Sequence, residues 1–120
     1  MTENKQDILP LVIEAIQDRK GKAITIVDLS AIESAAASRF IICQGSSTQN
    51  AAAIADNIRD HLLEAARIKP YNYDGYTSSS WIVIDYGDTM DHVFIPETRS
   101  LYDLEGLWSD AAITEIPDLA

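Results

Sequence analysis

The chain has 120 residues and a formal charge of −10, from 19 acids against nine bases, with two histidines and one cysteine. That length fits one domain around a single core, and no apolar run is long enough for a membrane-spanning helix. Residues 1–22 hold four acids and four bases. Residues 85–120 hold nine acids (Asp85, Asp88, Asp91, Glu97, Asp103, Glu105, Asp110, Glu115, Asp118) against Arg99 alone, a net of −8. Such a field repels phosphate backbones, so little direct nucleic acid contact is expected, and it steers instead toward a basic protein surface.

Met1 to Asp7 carries Glu3 and Asp7 and lacks the apolar stretch of a secretory signal. Cys43 stands alone and cannot close an internal disulfide. Both features predict a cytoplasmic protein.

Taken in chain order, Ile8, Leu9, Val12, Ile13 and Ile16 recur at helical spacing and predict a helix from about Asp7 to Asp18. Asp7 is its expected cap, Pro10 falls in the tolerant first turn, and Gly21 follows its end. Ala23–Val27 and Phe40–Cys43 are nearly continuous apolar runs, as in central strands covered on both faces. The Ala- and Ser-rich connection between them, Ser30 to Ser38, carries no assignable pattern.

A second helix is capped at Ser46, Ser47 or Thr48 and buries Ala51, Ile54, Ala55, Ile58, Leu62 and Ala66. Arg67 and Lys69 suit its C-terminal dipole, and Pro70 stops it. A short strand around Tyr71 to Asp74 precedes the loop Gly75 to Ser80. Trp81–Tyr86 and Thr89–Ile95 read as a hairpin, because Gly87-Asp88 supplies the glycine-first loop of a type II′ turn.

That register places Trp81 opposite Phe94, Val83 opposite His92 and Asp85 opposite Met90, all on one face. Ile82, Ile84, Val93 and Ile95 take the other face with Tyr86 and Asp91, and the more aliphatic set is expected to pack on the helices. Pro96-Glu97 opens a last short helix carrying Leu101, Leu104, Leu107 and Trp108. Residues 1–110 therefore read as one domain, with 111–120 as a flexible C-terminal tail.

Gly45-Ser46, between a strand and a helix, matches half of a nucleotidyltransferase site. That chemistry also needs two carboxylates one residue apart on a nearby strand to clamp a divalent ion. The next acid is Asp56, two turns inside a helix, and no Asp-x-Asp strand follows. Asp85 and Asp91 point to opposite faces of the hairpin and cannot share an ion. His61, His92 and Cys43 lie too far apart for a zinc site. Cys43 reads as an inert core thiol, and His61 as a solvated helix residue. No catalytic residue, cofactor or metal is expected.

Gly45-x-Ser47, Ala53-Ile54-Ala55-Asp56, Trp81-x-Val83-x-Asp85-Tyr86-Gly87-Asp88, His92-Val93-Phe94 and Leu101-Tyr102-Asp103-Leu104-Glu105-x-Leu107-Trp108 occur in order over residues 5–110. This set resembles the ribosomal silencing factor family, RsfS, also called Iojap. Ser38-Arg39, Gln49-Asn50, Met90-Asp91 and Gly106 depart from the family pattern. The resemblance implies an α/β fold with a mixed five-stranded sheet flanked by helices, nucleotidyltransferase-like without the catalytic residues.

It also implies a translation repressor that binds the large ribosomal subunit through a basic protein, the fourteenth of that subunit. Steric blocking of subunit joining would then lower translation when nutrients run short. The contact surface expected from these residues is Trp81, Asp85, Tyr86, His92, Phe94 and Tyr102. Trp81 and Phe94 would supply apolar area and Asp85 would pair with a lysine or arginine, although Trp81 equally fits a core position. The alternatives are a nucleotidyltransferase-type enzyme using Ser46, and an acidic domain that self-associates as a homodimer through the Trp81/Phe94 face.

Overall fold

The computed structural model describes residues 7–119, and the chain runs α1 (Leu9–Asp18), β1 (Lys22–Asp28), β2 (Arg39–Gln44), α2 (Thr48–Ala66) and β3 (Asn72–Asp74). It continues through β4 (Trp81–Asp85), β5 (Thr89–Phe94), α3 (Pro96–Tyr102), α4 (Leu104–Leu107) and β6 (Ala112–Ile116). The strands form one mixed sheet in the order β3-β4-β5-β2-β1-β6, in which only the β2–β5 pair is parallel. No helix among the described residues is long and apolar enough to cross a membrane.

Helices α1 and α2 lie side by side on one face. Val12, Ala15 and Ile16 of α1 and Ala51, Ile54, Ala55, Ile58 and Leu62 of α2 are buried against Ile24, Ile41, Cys43, Ile82, Ile84 and Val93 of the sheet. The predicted stripe of α2 is thus the core-facing one, except that Ala66 at its end is only half-buried. Ser47 caps α2 by accepting from the Asn50 N–H at 3.0 Å. Arg67, in the left-handed conformation at φ 58°, ends it three residues before Pro70.

At the end of α1 the left-handed residue is Lys20 (φ 61°), and Gly21 serves close approach instead. A β-carbon there would sit 2.4 Å from Ile16 Cγ2. Asp7 accepts from the Leu9 N–H at 3.0 Å, one residue before the capping position taken by Ile8.

The hairpin register is the expected one: Trp81 pairs with Phe94, Val83 with His92 and Asp85 with Met90, and Gly87 takes a positive φ of 88°. Two features of the C-terminal third differ from expectation. The sheet has six strands and not five, because Ala112–Ile116, within the segment read as a tail, pairs antiparallel with β1. The last helix is also two helices, broken where Asp103 adopts φ 47°. The Asp103 carboxylate accepts from the Gly106 N–H at 3.3 Å and so starts α4.

Arg99 fastens this α3–α4 corner to the sheet. Its guanidinium donates to the carbonyl of Ala23 (2.7 Å), Oγ1 of Thr25 (2.9 Å), Oε1 of Gln44 (3.2 Å) and Oε2 of Glu105 (2.7 Å).

On the helix-covered face, Asp91 is fully buried and neither carboxyl oxygen has a protein hydrogen-bond partner among the described residues. Burial holds its pKa well above the usual 3.8, with Arg39 opposing the shift. The folded state therefore binds a proton that the unfolded chain releases, and stability falls as pH rises above about 3.8 until the folded-state pKa is passed. Asp91→Asn should remove that slope. In urea titrations the variant is expected to exceed the wild type at pH 8, and the difference should close toward pH 4. A difference that does not change with pH would show that Asp91 keeps its charge in the fold.

Candidate protein-docking surface

The face of the sheet away from α1 and α2 carries the aromatic residues. Side-chain alternation sends Trp81, His92 and Phe94 to this side, together with Phe40 of β2. Trp81 stacks on Phe94 with ring centroids 5.0 Å apart and an interplanar angle of 24°. Its indole N–H donates to His92 Nδ1 at 3.1 Å. Phe40 meets His92 edge-on at 4.5 Å and Trp108 at 6.2 Å. Tyr102, at the end of α3, lies over Trp81 at 4.8 Å.

His92 must be unprotonated at Nδ1 to accept from Trp81, and burial lowers its pKa to about 4. The imidazole is therefore neutral near pH 7, a packing and orienting group for the indole.

Of the six residues expected at the contact surface, four come together: Trp81, His92, Phe94 and Tyr102. They form two tiers. Phe94 is fully buried and His92 is 4% exposed, so both are the floor beneath Trp81 and not direct contacts. Trp81 is half-buried and Tyr102 is 50% exposed.

Asp85 shares the face but stands four residues along β4 from Trp81, roughly 13 Å away at ~3.3 Å per residue. Its carboxylate accepts from the Gly87 N–H at 2.8 Å. Tyr86 belongs to the opposite face, packed against the α1–α2 core with its hydroxyl buried. Burial there, with the nearby Asp91 charge, raises its pKa. Tyr86 therefore does not share the face of Trp81, by the same alternation that keeps Asp85 on it.

Two exposed residues were missed. Leu101 and Leu107 are 77% and 72% exposed, whereas Leu104 between them is buried. A continuous helix would have turned all three inward. The break at Asp103 rotates α4 relative to α3 and leaves Leu101, Tyr102 and Leu107 exposed, as Glu97, Asp103 and Asp110 of the same segment are. The signal was the Asp103-x-x-Gly106 cap, hidden inside an apparently regular leucine spacing.

The Gly45-Ser46 turn is filled by protein. Ser46 N–H donates to Asn50 Oδ1 at 2.9 Å, and a β-carbon on Gly45 would lie 2.7 Å from the Ala51 nitrogen. The backbone donor that would hold a phosphate is thus engaged by the first turn of α2. No three-residue cluster of potential metal ligands occurs among the described residues. Cys43 is buried, and burial pushes its thiol pKa far up, away from nucleophilic use.

Exposed apolar side chains on α3 and α4, with Tyr102 lying over the Trp81–Phe94 stack, suit a binding module. Comparison gives the family. Residues 2–120 match the family described as ribosomal silencing factor during starvation. The chain is 34% identical to the ribosomal silencing factor RsfS of Bacillus subtilis over 113 residues, 94% of each chain. A crystal structure of a Chromobacterium violaceum protein is similar at a TM-score of 0.81 and 36% identity, covering 89% of this chain and 88% of that one. A mouse protein named mitochondrial assembly of ribosomal large subunit protein 1 is 34% identical over 74 residues, 58% of this chain and 32% of its own. The chain belongs to the ribosomal silencing factor family, whose members are regulators of translation and not enzymes.

Proposed function

We propose that this protein represses translation by seating Leu101, Tyr102, Leu107 and Trp81 on a basic protein of the large ribosomal subunit, the fourteenth of that subunit. Its bulk then blocks the small subunit sterically when nutrients are short. The exposure of Leu101, Tyr102 and Leu107 carries this reading, since large apolar side chains left in water mark a surface covered by a partner. The acidic C-terminal third supports a basic protein partner over rRNA. The name of the mouse relative, mitochondrial assembly of ribosomal large subunit protein 1, favours that subunit over the small one. Such action places the protein in the cytoplasm, with the ribosomes.

The test is pelleting with isolated large and small subunits at low and moderate salt. Binding to the large subunit alone is expected. Trp81→Ala should weaken it by about 30-fold, the effect of a ~2 kcal/mol hot spot, and Asp85→Lys should weaken it most at low salt. Failure to pellet with either subunit would refute the proposal. Binding that Trp81→Ala, Tyr102→Ala and Leu107→Asp all leave intact would refute this surface.

A further inference from the structure

Strand β6 ends the sheet, and its outer edge has no strand neighbour among the described residues. Ala112, Ile113, Thr114 and Glu115 are exposed, and Ile116 is half-buried. The usual protections of an edge are missing from the strand itself, which has no proline, no glycine and one charge, Glu115. A row of backbone groups with no strand partner among the described residues is a template for another strand.

Each face of this edge opens into a groove. On the helix side the groove is about 920 Å³ and crosses the sheet from Ala112, Thr114 and Ile116 toward Thr89 and Tyr86, with Ile8, Ile13 and Ile26 along it. On the other side it measures about 570 Å³ and contains Ile113 and Glu115, with Glu105 and Asp118. Side chains of an added strand alternate between the two faces, so one set would enter an apolar groove and the other an acidic one.

The charges decide what fits. Nearest the edge stand Asp28, opposite Ala112, and Glu115 and Asp118 of the second groove, whereas Asp7 and Glu105 are taken up by Arg39 and Arg99. A second copy of this chain would bring its own Glu115 and Asp118 into this field, as part of a further net charge of −10. An extended basic segment is complementary to it.

We infer that the β6 edge is a second docking site, which takes up an extended basic peptide as a seventh strand. Its apolar side chains lie in the α1-side groove and its lysines or arginines on the Glu105–Glu115–Asp118 side. This site is separate from the Trp81 surface and does not depend on it.

The test uses the full-length protein and a blocked hexapeptide of alternating valine and lysine, with a valine–glutamate hexapeptide as control. Amide hydrogen exchange of Ala112–Ile116 is read by NMR. The lysine peptide is expected to slow exchange at these amides at least tenfold, and Glu115→Lys to weaken its binding at least tenfold. Thr114→Pro should abolish binding, and an unchanged melting temperature separates that result from misfolding.

Trp81→Ala should leave peptide binding intact while reducing subunit pelleting, so failure of either docking site is read independently of the other. Three results would overturn the inference: no protection at millimolar lysine peptide, equal protection by the glutamate peptide, or protection that rises with protein concentration alone. The last would assign the edge to a second copy.

Discussion

Arg99→Met is expected to lower the unfolding free energy by about 3–5 kcal/mol, the range for breaking one side of a largely buried ion pair. The Arg99 side chain is 11% exposed and that of Glu105 is 25% exposed, so water cannot replace the lost partner fully. Four acceptors lose their donor at once: the Ala23 carbonyl, Thr25 Oγ1, Gln44 Oε1 and the Glu105 carboxylate. Methionine keeps much of the stem's packing, so the loss isolates the guanidinium. Arg99→Lys should recover little, because one ammonium cannot span acceptors on two strands and a helix. Urea unfolding followed by circular dichroism measures both variants, and a loss below 1 kcal/mol would reduce the network to a surface pair. Since Arg99 anchors the α3–α4 corner, the folded fraction of the variant should also bind the large subunit more weakly.

Phe94→Ala is expected to cost a similar ~3–5 kcal/mol, as for other fully buried aromatic residues. Phe94 is 0% exposed and forms the platform on which Trp81 stacks. Removing it leaves a cavity under the indole and takes away the contact that fixes its tilt. Trp81→Ala removes a half-buried ring at the top of the same stack, so it should lose less stability and more binding. The two variants should therefore separate on a plot of melting temperature against subunit affinity. If both fell on one line, with affinity lost only as the fold is lost, Trp81 would be a core residue and the docking surface would lie elsewhere.

This two-tier arrangement explains why the candidate surface was only half legible in the sequence. Alternation along β4 and β5 is a local property, and the Gly87-Asp88 turn sets its register. The shared face of Trp81, Asp85, His92 and Phe94 therefore follows from spacing alone. Depth does not. Phe94 is covered by the stacked Trp81 and shares its cluster with Leu104 of α4, His92 is covered by Phe40 and Trp81, and no spacing within the hairpin announces that. Tyr86 shows the converse. Its residue type suits an interface, but its place one residue after Asp85 turns it to the helix-covered face.

The C-terminal third shows the same limit in another way. Leu101, Leu104 and Leu107 at intervals of three resemble one helical stripe, and only the left-handed Asp103 divides them into one buried and two exposed residues. Five of six strands carry signals of their own, either apolar runs or turn-bounded alternation. β6 carries little, because Ala112–Ile116 has one half-buried residue and its place depends on pairing with β1, which lies about ninety residues earlier in the chain.

What the sequence determined by itself was the local content: the faces of α1 and α2, the hairpin register, the lack of an Asp-x-Asp pair beside Gly45-Ser46, and the concentration of negative charge in the C-terminal third. These rest on periodicity, turn chemistry and charge, which act over a few residues or over the whole chain. The tertiary structure decided the rest: which aromatics are buried and which exposed, the sixth strand, the Arg99 clamp, and the burial of the Asp91 carboxyl. Each depends on contacts between residues far apart in the chain, and their energies exist only once the sheet has assembled.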